Sequence, residues 1–525
     1  MSWRSAAYLC LCLVAALASG RSSMAQASRR IASTIVAVAG GDPAHLNPAI
    51  TTAGGVHTIA GSLYDGLVEL DSAGRPQPGL AERWEVKDGG RTYVFHLRPD
   101  VRWHDGVPFT ARDVTYTFTE MLLKYSARAK AGLAPALTGI DAPDAATVIF
   151  RFRKPYAPLL KRLTVDEAPI LPRHLYEGTD PLSNPHNQRP VGTGPYRFVE
   201  WAHGDRIVFE RNASYFVRGR PRIGRLVWRI LPNSTAAAIA LERGEVDYLG
   251  GVDGPELSRL RAAPGVRLGR NPAGAGGGWC VNTLVPNLRH PPLEDVRVRR
   301  ALSLAIDRAF LAERLYPGTA SPAHGPFHTA LGATDRTAPP LAHDSAGAVR
   351  LLGAANIVAR DGAPRLRLRF TYGTPGFAAL AETLRDQFAR IGVELLLDPM
   401  DFNSAVEKVY IKQDFDLGVA SYCNGADPDI GVKRVYDSRN VLPIPFNNGA
   451  GYRNPVVDSL FDAAASTLDP VRRRAVYGQV QRILLDDVPY LWLVETDGLR
   501  AWRATVRGLR IWSGHTFDEA TIVAR

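Results

Sequence analysis

The sequence predicts an α/β protein built from about three domain-sized units joined by short crossings. Three observations carry this expectation. The chain has 525 residues, which at roughly 150 residues per domain corresponds to about three units. Strand-like and helix-like patterns interleave along its whole length. The stretch Arg365 to Leu397 reads as a complete βαβ unit. With 46% hydrophobic and 22% charged residues, the composition matches globular averages and excludes a disordered or fibrous chain.

The first segment is a targeting signal by its pattern. Met1 to Arg4 form a short positive region, Ala6 to Ala18 an apolar stretch, and Ala25-Gln26-Ala27 a small-residue cleavage site. The apolar stretch is too short to span a bilayer comfortably. Cys10 and Cys12 lie inside it rather than in a lipobox. Cleavage after Ala27 leaves an exported chain with Cys280 and Cys423 as its two cysteines, either bridged in an oxidising compartment or buried as free thiols. The formal charge is +11, but the basic residues are mostly Arg and are spread along the chain. A nucleic-acid binder would gather them on one face, so no nucleic-acid partner is expected.

Past the signal, Thr34 to Val38 alternates as a strand and runs into the loop GGDPAHLNPAI. Tyr93, Phe95 and Leu97 form a second strand, Thr147 to Phe152 a third. Thr110 and Asp113 form a capping box that opens a helix through about Leu123. RPVGTGPY, from Arg189, is a turn in which glycines supply positive φ. Phe198 to Arg211 and Leu226 to Ile230 read as strands, and Ala237 to Glu245 as a helix. The Gly-rich Gly274 to Gly278 leads into Trp279-Cys280-Val281-Asn282-Thr283 and the next domain.

From Glu294 an apolar stripe of Val298, Ala301, Leu302, Ala305, Ile306 and Ala309 predicts a helix. Its opposite face, Arg297, Arg299, Arg300, Asp307 and Arg308, is expected to be solvated. In the βαβ unit, Leu366, Leu368, Phe370 and Tyr372 alternate, a helix carries Leu380, Leu384, Phe388 and Ile391, and Gly392 closes it before the strand Val393 to Leu397. The two strands should be parallel. Helices follow near Pro455–Ala464 and Pro470–Leu484, the latter with Asp469 as N-cap and Pro470 at N1. Leu491 to Val494 and Leu509 to Trp512 read as closing strands.

The sequence has no GxSxG, no HExxH and no Gly-Lys-Ser/Thr loop. Its Gly-rich stretches do not open a helix after a strand, and its twelve His are dispersed. These observations favour binding over catalysis and imply no cofactor and no resident metal.

Six segments, in order, resemble one family. They are DPAHLNP from Asp42, the run from Pro78 to Val114, RPVGTGPYRF from Arg189, DVRVRRALSLAIDR from Asp295, DFDLGVASYCNGADPD from Asp414 and GYRNPVVDSLFDAA from Gly451. Together they resemble the extracytoplasmic solute-binding proteins, family 5, which serve dipeptide, oligopeptide and nickel ABC importers. The resemblance implies a two-lobed periplasmic-binding-protein fold with a hinge and an extra subdomain in lobe I. It places lobe I at 28–65, 189–278 and 495–525, the subdomain at 66–188 and lobe II at 279–494, after a signal peptide at 1–27. It also implies a monomeric periplasmic protein that captures a peptide or peptide-like solute and docks transiently on a membrane permease. An opine, sugar or metal chelate is the alternative ligand, and a sensor or chaperone the alternative role.

The same resemblance implies the site. Ala420, Ser421, Tyr422 and Asn424, on a segment leaving a lobe II strand, are expected to line the cleft, with Trp279, Cys280 and Asn282 near the hinge crossing. Peptide-binding members hold the ligand's amino terminus with an aspartate three residues after a tryptophan. Aligned on Asp427-Pro428, those positions here are Ser421 and Asn424. A neutral amide binds an ammonium more weakly than a carboxylate does. Either the ligand has no free amino group, or another carboxylate takes the role. Asp427 is expected to stabilise its own turn, and free-amino dipeptides are expected to bind weakly. Trp103-His104-Asp105-Gly106 and Gly192-Thr193-Gly194-Pro195 are expected to be scaffold.

Overall fold

The structure, a computed structural model, describes residues 34–252, 254–273, 278–359, 362–374, 376–496 and 498–523. The expected signal peptide lies outside the described residues. No helix among the described residues is long and apolar enough to cross a membrane.

Three main sheets organise the chain. The first has seven strands, in the order Val266–Gly269, Arg500–Arg503, Tyr248–Leu249, Thr34–Ala39, Arg225–Ile230, Arg206–Arg211 and Tyr196–Ala202. Its centre is parallel: Thr34–Ala39 runs alongside both Arg225–Ile230 and Tyr248–Leu249. The alternation expected there is real. Ile35 and Ala37 face the core beside Leu226 and Trp228, all buried. The second sheet has six strands, Ala320–Pro322, Leu491–Thr496, Trp279–Pro286, Leu417–Asn424, Leu366–Gly373 and Val393–Met400. Its βαβ unit is as expected: Leu366–Gly373 and Val393–Met400 pair in parallel around the helix Ala378–Ala389, with Gly392 at φ +77°. The third sheet, Ala81–Lys87, Thr92–Leu97, Thr147–Phe152 and Leu137–Asp144, is antiparallel.

Two crossings join the seven- and six-stranded sheets, one between Gly269 and Trp279 and one between Thr496 and Arg500. They pass against each other. Gly278 and Gly498 have φ of +84° and +57°, and a Cβ on Gly498 would stand 2.8 Å from the Gly278 carbonyl oxygen. Only glycine meets both demands at once.

The two turns read as scaffold are clamped to each other. The His104 backbone N–H donates to the Gly192 carbonyl at 2.9 Å, Gly192 N–H donates to His104 Nδ1 at 3.1 Å, and His104 Nε2 lies 3.0 Å from the Gly194 carbonyl. The reason for the glycines differs from the expected one. Gly192 and Gly194 are not among the residues with positive φ; instead, a Cβ on Gly192 would overlap the Leu63 carbonyl oxygen at 1.8 Å, and one on Gly194 would reach it at 2.7 Å. Close backbone approach, not handedness, selects them.

Local details also depart from the pattern. Asp113 does accept from the Thr110 N–H at 2.8 Å, but the helix it opens, Ala111–Tyr116, passes into π-geometry over Thr117–Leu122. The helix predicted from Glu294 is Val296–Ala305, capped by Asp295, and Ile306 is extended. The solvated-face expectation fails for two of its arginines. Arg299 and Arg308 are buried and spend their donors on carbonyls: Val488, Leu293, Glu294 and Asp487 for Arg299, Trp492, Ser303 and Ile306 for Arg308. A guanidinium carries five donors, so burial is tolerable when carbonyls surround it. Leu509 and Arg510 are irregular and Ile511 and Trp512 lie in a turn, rather than forming a strand, and Arg510 is anchored to Glu69 and Asp518. Asp469 and Pro470 open the helix Pro470–Asp487 as expected.

Candidate functional site

The site grows from two neighbouring strands. Trp279–Pro286 and Leu417–Asn424 pair antiparallel, with Trp279 opposite Asn424, Cys280 opposite Cys423 and Asn282 opposite Ser421. Cys280 and Cys423 form a disulfide across the pair. Strand alternation then sorts the expected site residues onto two faces. Ala420 and Tyr422 point into the core of the second lobe. The Tyr422 hydroxyl pairs with that of Tyr410 at 2.7 Å, and its ring meets Tyr490 edge to face. Trp279 is buried on the same face and stacks on His328. Ser421 and Asn282 lie on the opposite face, with the disulfide, and are not among the residues that line the cavity. The expectation for Tyr422 as a cleft wall is corrected. Tyr422 does not line the cavity: it shares its strand face with Asn424 but sits two residues back from the strand end, within the core, where its hydroxyl finds a partner.

Where these strands end, a cavity of about 340 Å³ opens between the sheets. Its walls come from every unit of the chain. The first lobe gives Thr51, His57, Thr58, Glu69 and Tyr248; the four-stranded unit gives Arg128, Lys161, Thr164, Asp166 and Glu167; the second lobe gives Cys423, Asn424, Gly425 and Ala426. Gly278, Gly498 and Arg500 supply the crossing side, and Ile511 to Gly514 the C-terminal return. Of the seven expected site residues, Asn424 is on this wall. Its Oδ1 accepts from the His328 N–H at 3.1 Å, so part of its capacity is already used.

Polar contacts fasten the four-stranded unit to the second lobe at the cavity's edge. Arg128 pairs with Glu167 and donates to the Cys423 carbonyl at 3.3 Å. Lys161 donates to the Ala426 carbonyl at 2.9 Å, and burial lowers its pKa against the pull of Asp427. Behind them Arg162 meets Asp429 at 2.7 Å, both buried, and Tyr156 donates to Asp429 at 2.7 Å. Burial would raise the Asp429 carboxyl, but Arg162 and Lys433 bring it down to about 2. Asp427 stabilises its turn, as expected, by accepting from the Asp429 N–H at 3.0 Å. It also holds Arg473 through two bonds, of 2.6 and 2.7 Å.

Asp65, Glu69 and His515 bring possible ligand atoms within 4.8 Å of one another. Protein groups already satisfy them. Asp65 accepts from Thr193 and Tyr215, Glu69 holds Arg510 and His515, and His515 Nε2 faces the Tyr64 carbonyl. Burial alone would raise Glu69, but His515 and Arg510 hold it well below the carboxylate range. The cluster is a clamp that ties the C-terminal return to the first lobe.

Sequence reasoning missed the contribution of the four-stranded unit. Arg128, Lys161, Asp166 and Glu167 sit on irregular or short elements with no periodic signature, and only the fold brings them to Asn424.

Two sheet-centred lobes, two glycine crossings and a cavity between the lobes define a hinged solute-binding protein. The profile of the bacterial extracellular solute-binding proteins, family 5 (middle), matches residues 75–441, and the chain belongs to this family. Protein XP55 of Streptomyces lividans is 29% identical over 450 residues, covering 83% of this chain and 79% of that protein. The probable D,D-dipeptide-binding periplasmic protein DdpA of Escherichia coli (strain K12) is 26% identical over 476 residues, 89% of each chain. Among solved structures, the ABC transporter-associated periplasmic binding protein DppA from Helicobacter pylori, in complex with peptide STSA, superposes with a TM-score of 0.82. It is 23% identical, covering 93% of this chain and 98% of that one.

Proposed function

We propose that the protein captures a peptide or peptide-like solute in the interlobe cavity, outside the cytoplasm, and delivers it to the permease of an ABC importer. The observation that carries this reading is the composition of the cavity wall. Residues from both lobes and from the four-stranded unit meet around one space, so the wall is complete only when the lobes are together. Closure buries the solute, and the closed surface is what a permease reads. Capture needs no covalent step, nucleic acid or second copy of the chain. The signal at residues 1–27 directs export and is removed by cleavage after Ala27. Cys423 to Ala426, with the Asn424 amide, form the second lobe's part of the solute wall. Family membership supports the role, and the peptide named with the DppA structure and the dipeptide in the name of DdpA favour a peptide-like ligand.

The test is a thermal-shift screen of residues 28–525 against peptides, opines, sugars and metal chelates. A true ligand at 100 times its Kd adds about 2.7 kcal/mol of stability. A clear rise in Tm with peptides or peptide-like solutes is expected. A response confined to sugars or metal chelates would overturn the ligand class, and turnover of a responding solute would overturn the non-catalytic reading.

A further inference from the structure

Among the described residues, three carboxylates line the cavity: Glu69, Asp166 and Glu167. Two are spoken for. Glu69 is held by His515 and Arg510, and Glu167 by Arg128. Asp166 has no hydrogen-bond or ion-pair partner among the described residues. The charged groups that face it are committed elsewhere or like-charged. His57 Nε2 lies 2.9 Å from the Thr51 carbonyl, His515 belongs to Glu69, Arg500 is bonded to Asn271, and Glu167 repels it.

We propose that Asp166 is the residue that receives the ammonium group of the captured solute, in place of the carboxylate that Asn424 lacks. This rests on the reading of the cavity as the solute site. A half-buried carboxylate left without a partner is costly, and closure around a cationic group supplies the missing charge as a charge-assisted hydrogen bond. The space at the carboxylate is kept by a glycine. A Cβ on Gly514 would stand 2.8 Å from Asp166 Oδ1 and 2.6 Å from Val165 Cγ1. Asp166 lies across the cavity wall from the second lobe, on the loop following the helix Leu159–Arg162. The solute is therefore oriented with its amino end toward the four-stranded unit. The consequence for specificity reverses the sequence-based expectation: solutes with a free amino group are preferred, not disfavoured.

The experiment is calorimetric titration of residues 28–525 with an equimolar pool of free dipeptides and with the same pool N-acetylated. Wild type is expected to bind the free pool at least tenfold more tightly. Asp166→Asn and Asp166→Ser should bring the two pools within about threefold, with the unliganded Tm unchanged or raised, because no partner is lost. Gly514→Ala should weaken the free pool alone. Tight binding of the free pool by wild type and both Asp166 variants alike would overturn the assignment while leaving the cavity's role intact. Preference of wild type for the acetylated pool would overturn it too. Binding of neither pool would overturn the peptide reading and the assignment together.

Discussion

Arg162 and Asp429 form a buried ion pair across the boundary between the four-stranded unit and the second lobe, at 2.7 Å, with 4% and 1% of their side chains exposed. Arg162 Nη2 also donates to the Asp429 carbonyl at 2.6 Å. The pair therefore couples two separately built units beside the cavity, and it can form only when they are in contact.

Removing one partner leaves the other charge buried. Asp429→Asn is expected to cost about 3–5 kcal/mol of unfolding free energy, read by urea denaturation. The double variant Arg162→Met/Asp429→Leu should recover much of that loss. If Asp429→Asn costs under about 1 kcal/mol, water already reaches the pair and it does not hold the units together.

The disulfide predicts a second stability effect. Cys280–Cys423 closes a loop of sequence separation 143, and in the chain-entropy account long loops gain most. Cys280→Ser/Cys423→Ser should lose about 2–5 kcal/mol and make the protein insensitive to reductant. Wild type whose melting does not change on reduction would contradict this.

His104 gives a pH dependence with a definite sign. Burial lowers its pKa to about 4, opposed by the bond to the Gly194 carbonyl. Its folded pKa lies below the unfolded value of about 6.5, so the neutral ring's contribution is present above that value. It is lost as pH falls from about 6.5 toward 4. His104→Gln should flatten this part of the stability profile at some cost in overall stability. An unchanged slope in the variant would place the acid sensitivity elsewhere.

The crossings make a mechanical prediction. Gly498→Ala adds a Cβ at φ +57° and 2.8 Å from the Gly278 carbonyl oxygen. It should destabilise by more than about 1 kcal/mol and weaken solute binding through altered closure. A variant with wild-type Tm and wild-type affinity would show that the crossings tolerate displacement.

Much of the fold was legible because it rests on local periodicity. The βαβ unit at Leu366 to Met400, the cap at Asp469, and the strand Thr34–Ala39 all follow from patterns within single elements. The site was less legible. Cys423 to Ala426 lie next to one another in sequence, and a motif pointed to that stretch, but Tyr422, two residues before Asn424 on the same strand face, packs in the core of the second lobe instead. Asp166 shares the wall with Asn424 only through long-range packing, more than 250 residues away, and an aspartate in a loop carries no signal of that. Arg299 and Arg308 show the same limit in the core: sequence gives their charge, but only the fold supplies the carbonyls that accept it.

The central claim is that one solute is held in the interlobe cavity. Thr58 is exposed on a short helix and lines that cavity, so Thr58→Trp fills space there without disturbing a core contact. Calorimetric titration of the strongest solute from the thermal screen into wild type and Thr58→Trp tests the claim directly. At least a tenfold loss of affinity, with the unliganded Tm unchanged, is the predicted result. An unchanged Kd in the variant would contradict the account and move the binding site elsewhere.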